Sequence, residues 1–320
     1  MIKYLLLFIF PVLLQAQSWT TLQTSSSCTA RGESALAQID NKLYLLGSRG
    51  IKPVDVLDLK TMTWTAKQAP PIELHHFQAV VYKNEIWIAG ALTGNYPHEL
   101  PVDHFYIYNP ANNQWRKGPP MPKDRIRGSA GVTIYKNKLY LVAGIQDGHW
   151  DGHVSWLDVF DFKTNTWSIL ADAPHARDHI AVEVIHDKLY VAAGRRTTAK
   201  TNNVINIKEA AVDVYDFKTN TWITLPEGSN LPTLRAGASV VAKDELLFVI
   251  GGESDTQVPA HSEVEVLNTK TNTWSVYPKL NRGRHGTGAV RIKKAIYTAG
   301  GAGNRGGGPE LNSAEMLRLK

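Results

Sequence analysis

One cysteine, Cys28, stands among the 320 residues, so no disulfide can form within the chain. Packing and hydrogen bonding must therefore hold the fold without covalent staples. Long apolar runs are equally scarce: Leu5–Leu14 is short for a bilayer span, and no comparable run follows it. Despite a formal charge of +6 there is no block of lysines and arginines. That speaks against a nucleic-acid partner and leaves only a mild preference for anions. The GxSxG pattern of a nucleophile elbow is missing. The glycine-rich stretch "GGAGNRGGGPE" (300–310) follows an alternating apolar run and opens no helix, so it is neither a phosphate loop nor a dinucleotide fingerprint. Helical periodicity is lacking as well, because apolar residues recur at every second position.

The opening "MIKYLLLFIFPVLLQAQS" has one basic residue, Lys3, then an apolar core, then small and polar residues. This is the build of a secretory signal peptide. The expected organisation is a signal peptide over 1–16 and one domain over 17–320. The mature protein is expected to be periplasmic or secreted, monomeric, and not inserted in the membrane after leader cleavage.

What the chain has in abundance is repetition. "DVFDFKTNTW" ends at Trp167, "DVYDFKTNTW" at Trp222 and "EVLNTKTNTW" at Trp274, with Trp64 and Trp115 at the equivalent places upstream. Six alternating segments ("NKLYLLG", "NEIWIAG", "NKLYLVAG", "DKLYVAAG", "ELLFVIGG" and "KAIYTAGG") each follow another alternating stretch. Four antiparallel strands repeated at about 50 residues describe the blade of a β-propeller. These glycines, aromatics and tryptophans resemble the kelch-repeat family. The resemblance implies an all-β, six-bladed kelch propeller. The sixth copy ends in "SAEMLRLK" without a tryptophan, while Trp19 stands 12 residues before Arg31, as Trp115 stands 12 before Arg127. The mature N-terminus is therefore expected to supply the outer strand of the last blade. The recurring tryptophans are expected to fill space between blades.

Counting back from the second strand of each blade gives Arg31, Leu74, Arg127, Arg177, Arg235 and Arg284 at one register, near the entrance of the innermost strand. At least three of the guanidinium groups are expected to face solvent in the central opening. His75, Asp178 and His285 share the next position, and His76 and His179 the one after. Such side chains can bind a polar ligand, act as acid or base, or hold a metal. No compact metal-ligand spacing occurs, so no metal and no cofactor is expected. Loops on the same face add His149 and Trp150 from "IQDGHWDGHVSW", Arg195 after Gly194, and Glu253 after Gly252; Tyr96, His98 and Glu99 are a weaker third set. The long loop after Arg195 is expected to fold over the opening.

The resulting site comprises Glu253, His285 and His179 as proton-moving groups. Arg127, Arg177, Arg195, Arg235, Arg284, His149, Trp150, His75 and His76 would contact the ligand. The chain also resembles, more weakly, the periplasmic kelch epimerases (mutarotases) that interconvert anomers of N-acetylneuraminate. Three functions stay open: binding of a small acidic sugar or glycan, cofactor-free epimerisation of such a sugar, and a non-catalytic module holding a protein or polysaccharide at its rim.

Overall fold

A computed structural model describes residues 17–320, and the expected signal peptide lies outside the described residues. Six four-stranded antiparallel sheets follow one another along the chain. In blade three the strands are Gly131–Tyr135, Lys138–Asp147, Asp151–Asp161 and Thr166–Ile169. Each innermost strand lies against the innermost strands of two neighbouring blades, which closes a ring of six. The apolar alternation sends side chains to both faces of every sheet, and the buried residues collect into six clusters between blades.

The repeated "TNTW" makes both a turn and a staple. In blade three the Asp161 carboxylate accepts the Lys163 N–H at 2.8 Å, and Asn165 takes the left-handed conformation at φ 59°. The tryptophan after the turn then donates its indole N–H across the blade boundary: Trp167 to the Pro120 carbonyl at 2.9 Å, Trp222 to Ala171 at 2.7 Å and Trp274 to Ser229 at 2.8 Å. Trp19 does the same to Pro278 at 2.9 Å. Its strand, Trp19–Thr21, pairs antiparallel with Ala314–Arg318, aligning Trp19 with Leu317. The last blade is thus completed by the start of the domain, and the ring has no open edge at that seam.

Candidate functional site

The arginine register is real, but its expected role is overturned. Arg31, Arg127, Arg177, Arg235 and Arg284 are all buried, with 2% exposure or less. Each donates to the carbonyl sixteen residues further on, namely that of Gly47, Ala143, Ala193, Gly251 or Gly300. Each also pairs with a buried carboxylate on its own blade's third strand: Asp55, Asp158 at 2.6 Å, Asp213 at 2.6 Å, Glu265 at 2.5 Å and Glu315 at 2.6 Å. None faces the opening. Burial pulls the Arg127 guanidinium down to about 10, with Asp158 opposing it. Arg127, Arg177, Arg235 and Arg284 therefore brace the blades and offer no anion clamp.

The position two residues beyond that register forms the mouth of the channel. Glu33, His76, Ser129, His179, Gly237 and Gly286 occupy it in blades one to six, and all six have φ between 48° and 62°. Glycine takes this conformation freely, whereas other residues pay for it, on the order of 1–3 kcal/mol each. Main-chain hydrogen bonds between successive blades impose it: His76 N–H donates to Glu33, His179 to Ser129, Gly237 to His179 and Gly286 to Gly237. Four side chains are thus held at one narrow ring against a conformational cost.

Two of those four belong to a cluster of histidines. The rings of His76, His149 and His179 form a near-equilateral triangle with centroids 4.8–5.1 Å apart. Each ring is backed by a partner. Glu99 lies 2.9 Å from His149 Nδ1, Asp178 contacts His179 Nδ1, and His75 Nδ1 lies 2.6 Å from His76 Nδ1. Asp178 also accepts the N–H and hydroxyl of Thr197, at 2.8 and 2.5 Å. Burial pushes His179 down to about 4 and His75 to about 3, and holds His76 well below the ordinary range, so all three are neutral near pH 7. Burial alone would raise Glu99 and Asp178, but their histidine and arginine neighbours hold both below the usual carboxylate range. The long blade-four loop lies at this end and packs on the blade-three loop: the Ala199 N–H donates to the His149 carbonyl at 2.9 Å.

A second group adjoins the first. Arg195 donates to Thr197 and to Glu253 at 2.5 Å, and lies 3.9 Å from Asp178. Glu253 also accepts the Gly306 N–H at 2.8 Å and stands 3.6 Å from His285 Nε2, which itself donates to the Asn304 carbonyl at 2.9 Å. Burial opposes ionisation of Glu253, yet His285 and Arg195 hold it well below the usual range. The structure therefore brings together His179, Arg195, Glu253 and His285, with His75, His76 and His149 beside them. Trp150 stands apart, half-buried on the rim with its ring 4.6 Å from that of His98.

Below the mouth runs an axial cavity of about 440 Å³, lined by the innermost strands of all six blades. Glu33, His76, Ser129 and His179 border it, and Glu183 lies further along. Burial lifts the Glu183 carboxyl to about 7. Sequence reasoning missed Glu33, Ser129 and Glu183. The count that aligned His76 with His179 also reaches Glu33 and Ser129, and a charged residue within an innermost strand was the signal for Glu183.

A ring of blades with its chemistry gathered at one axial mouth defines the class. A family model described as the KLHDC2/KLHL20/DRC7 Kelch-repeats domain matches residues 76–301. The chain belongs to the kelch-repeat family. It is similar to Kelch-like protein terF of Aspergillus terreus, 29% identical over 296 residues that make up 85% of this chain and 61% of that protein. Human Kelch-like protein 38 is 23% identical over 264 residues, 81% of this chain and 42% of its own length. The chain thus spans less than two thirds of these curated relatives. Among solved structures it is similar to that titled "Structure of YjhT", with a TM-score of 0.74, 16% identity, and coverage of 91% of this chain and 95% of that one. At that identity the likeness is one of fold. No helix among the described residues is long and apolar enough to cross a membrane.

Proposed function

We propose that the protein is an enzyme of the sugar epimerase or mutarotase type, acting on a small hydroxylated molecule in the axial cavity. One observation carries this reading: Glu33, His76, Ser129 and His179 converge, in a costly backbone conformation, on one end of a cavity of about 440 Å³. A volume of that order suits a single sugar. Anomer exchange opens and recloses a hemiacetal, which requires one group to take a proton and another to return it. Glu33 is the carboxylate placed to move it, while the Ser129 hydroxyl beside it can hold one of the substrate's oxygens. An interaction module would have no use for acid–base groups held at the end of an axial cavity.

The acidic character expected of the sugar loses its main support, because the ring arginines are spent on their own blades. A neutral sugar suits the lining better. Nuclear magnetic resonance of anomer exchange, run across neutral sugars, uronic acids and sialic acids, tests the reading. Exchange of at least one sugar should exceed the buffer rate, and Glu33→Gln should slow it by about 100-fold or more while the fold persists. Rates equal to buffer for every sugar, with no binding, would overturn it. Export is part of the same proposal: the mature protein, recovered outside the cytoplasm, should begin near Gln17 by N-terminal sequencing.

A further inference from the structure

We propose that His76, His149 and His179 hold one divalent first-row transition ion of the zinc type, with an open coordination position facing the axial cavity. The three rings come from three different blades, which is why no ligand spacing is visible along the chain. One ring nitrogen from each can be chosen so that all three lie within 4.8 Å of one another.

The hydrogen-bond partners decide which nitrogens those are. Carboxylates accept, so Glu99 and Asp178 fix the proton of His149 and His179 on Nδ1. Both Nε2 atoms then present lone pairs, and they face each other at 3.1 Å. His75 Nε2 has the Glu73 carboxylate at 3.3 Å and the Gly94 carbonyl at 3.4 Å to donate to. With its proton there, its Nδ1 accepts from His76 Nδ1, and His76 Nε2, 3.1 Å from the Glu33 carboxylate, is free to bind an ion. The facing lone pairs of His149 and His179 are unfavourable in a buried cluster unless a cation stands between them. Two imidazoles on a tetrahedral ion, with metal–nitrogen bonds of about 2.0–2.1 Å, stand about 3.3 Å apart, close to the spacing of His149 and His179.

The surroundings complete the case. Histidine ligands whose second nitrogen is held by a carboxylate are the usual outer arrangement of a metal centre, and two of these three have it. An all-imidazole donor set selects zinc, copper, nickel, cobalt or iron over magnesium and calcium. Three protein donors leave a tetrahedral ion one free position. His76 and His179 both border the cavity, so that position opens toward it, with Glu33 alongside. The ligand class is an oxygen donor, a water or a hydroxyl or carbonyl group. The inference rests on the reading in the previous subsection only for what occupies that position.

The test uses the full chain, produced without a histidine tag, stripped with chelator and titrated with Zn²⁺ or Co²⁺. Expected are one ion per chain by elemental analysis, a raised melting temperature, and the visible absorption of four-coordinate Co²⁺. His149→Ala should weaken binding by 100-fold or more and Glu99→Gln by about 10–100-fold, whereas His98→Ala, on the exposed rim, should leave it unchanged. The wild-type Co²⁺ spectrum and stoichiometry stand even if a variant fails to fold. No ion bound by the wild type, or equal binding by folded His149→Ala, would overturn the proposal. A chain that binds the ion but exchanges no sugar keeps this inference and loses the sugar reading. A chain active after complete stripping, and taking up no ion, does the reverse.

Discussion

Leu74 and Tyr106 occupy in blade two the places that an arginine and a carboxylate take in the other five, as the strand registers show. Both are buried in one apolar cluster. The blade therefore replaces an ion pair with an apolar pair, and residues change together at the two positions. Removing one partner of a buried pair strands a charge, whereas replacing both does not. Arg235→Leu alone should cost about 3–5 kcal/mol, and Arg235→Leu with Glu265→Tyr should recover at least half of that, read from chemical denaturation. The arginine register was legible in the sequence while its role was not: solvent and a carboxylate across the blade both suit a guanidinium. The matching change at Leu74 and Tyr106 held the answer, since a ligand clamp would not require the acid to vanish with the base.

Glu183 offers a second measurement at this scale. Burial lifts its carboxyl from 4.5 to about 7, opposed by the Val184 N–H and by Arg291. The folded state thus holds a proton that the unfolded chain gives up above pH 4.5. Stability from this group is full below pH 4.5 and is lost as pH rises through about 7. Glu183→Gln should therefore stabilise the protein by about 1–2 kcal/mol near pH 8 and change little near pH 4.5, in urea titrations at both values. The modest size reflects a carboxyl that borders a cavity open to water.

Among the elements, Trp19–Thr21 joins the two ends of the domain. Its indole is buried at 3% exposure in the cluster with Leu317 and Leu319 and donates to Pro278. Trp19→Ala should cost about 3–5 kcal/mol in a melt or denaturant titration, far more than an exposed strand residue would. This strand was legible because the sixth repeat lacks its own tryptophan. The blade-four loop was legible as a long loop expected near the opening, but its contacts were not. Its landing place depends on main-chain bonds to His149 and Trp150, which no side-chain pattern encodes. The same holds for the histidine triangle, where each ring is readable alone and the meeting of three blades is not.

For the whole molecule, the closed ring makes the position of the chain ends a matter of covalent convenience. A permuted chain that joins Lys320 to Gln17 through a short linker and opens at the exposed turn Thr219–Asn220 keeps every strand pairing. It should retain its circular dichroism and melt within about 5 °C of the parent, since new ends at an exposed turn are well tolerated. A collapse of the melting temperature would mean that the turn, and not the ring, organises the last blades.

The six left-handed positions at the mouth also bear on descent. The bonds that shape that ring belong to the main chain, so its geometry does not depend on which side chains stand there. A relative with the same blades can exchange a glutamate, a serine or a histidine for glycine and lose the chemistry while keeping the architecture, and it would shed conformational cost in doing so. Overall sequence identity among such propellers is then a poor guide to shared activity, and the residues at these six places are the better one. Gly237, where an added Cβ would meet nothing closer than 3.5 Å, marks where an ancestor or a designer could install a fifth functional group without redrawing the fold, whereas at Gly286 the same atom would stand 2.6 Å from the Glu33 carboxylate and displace it.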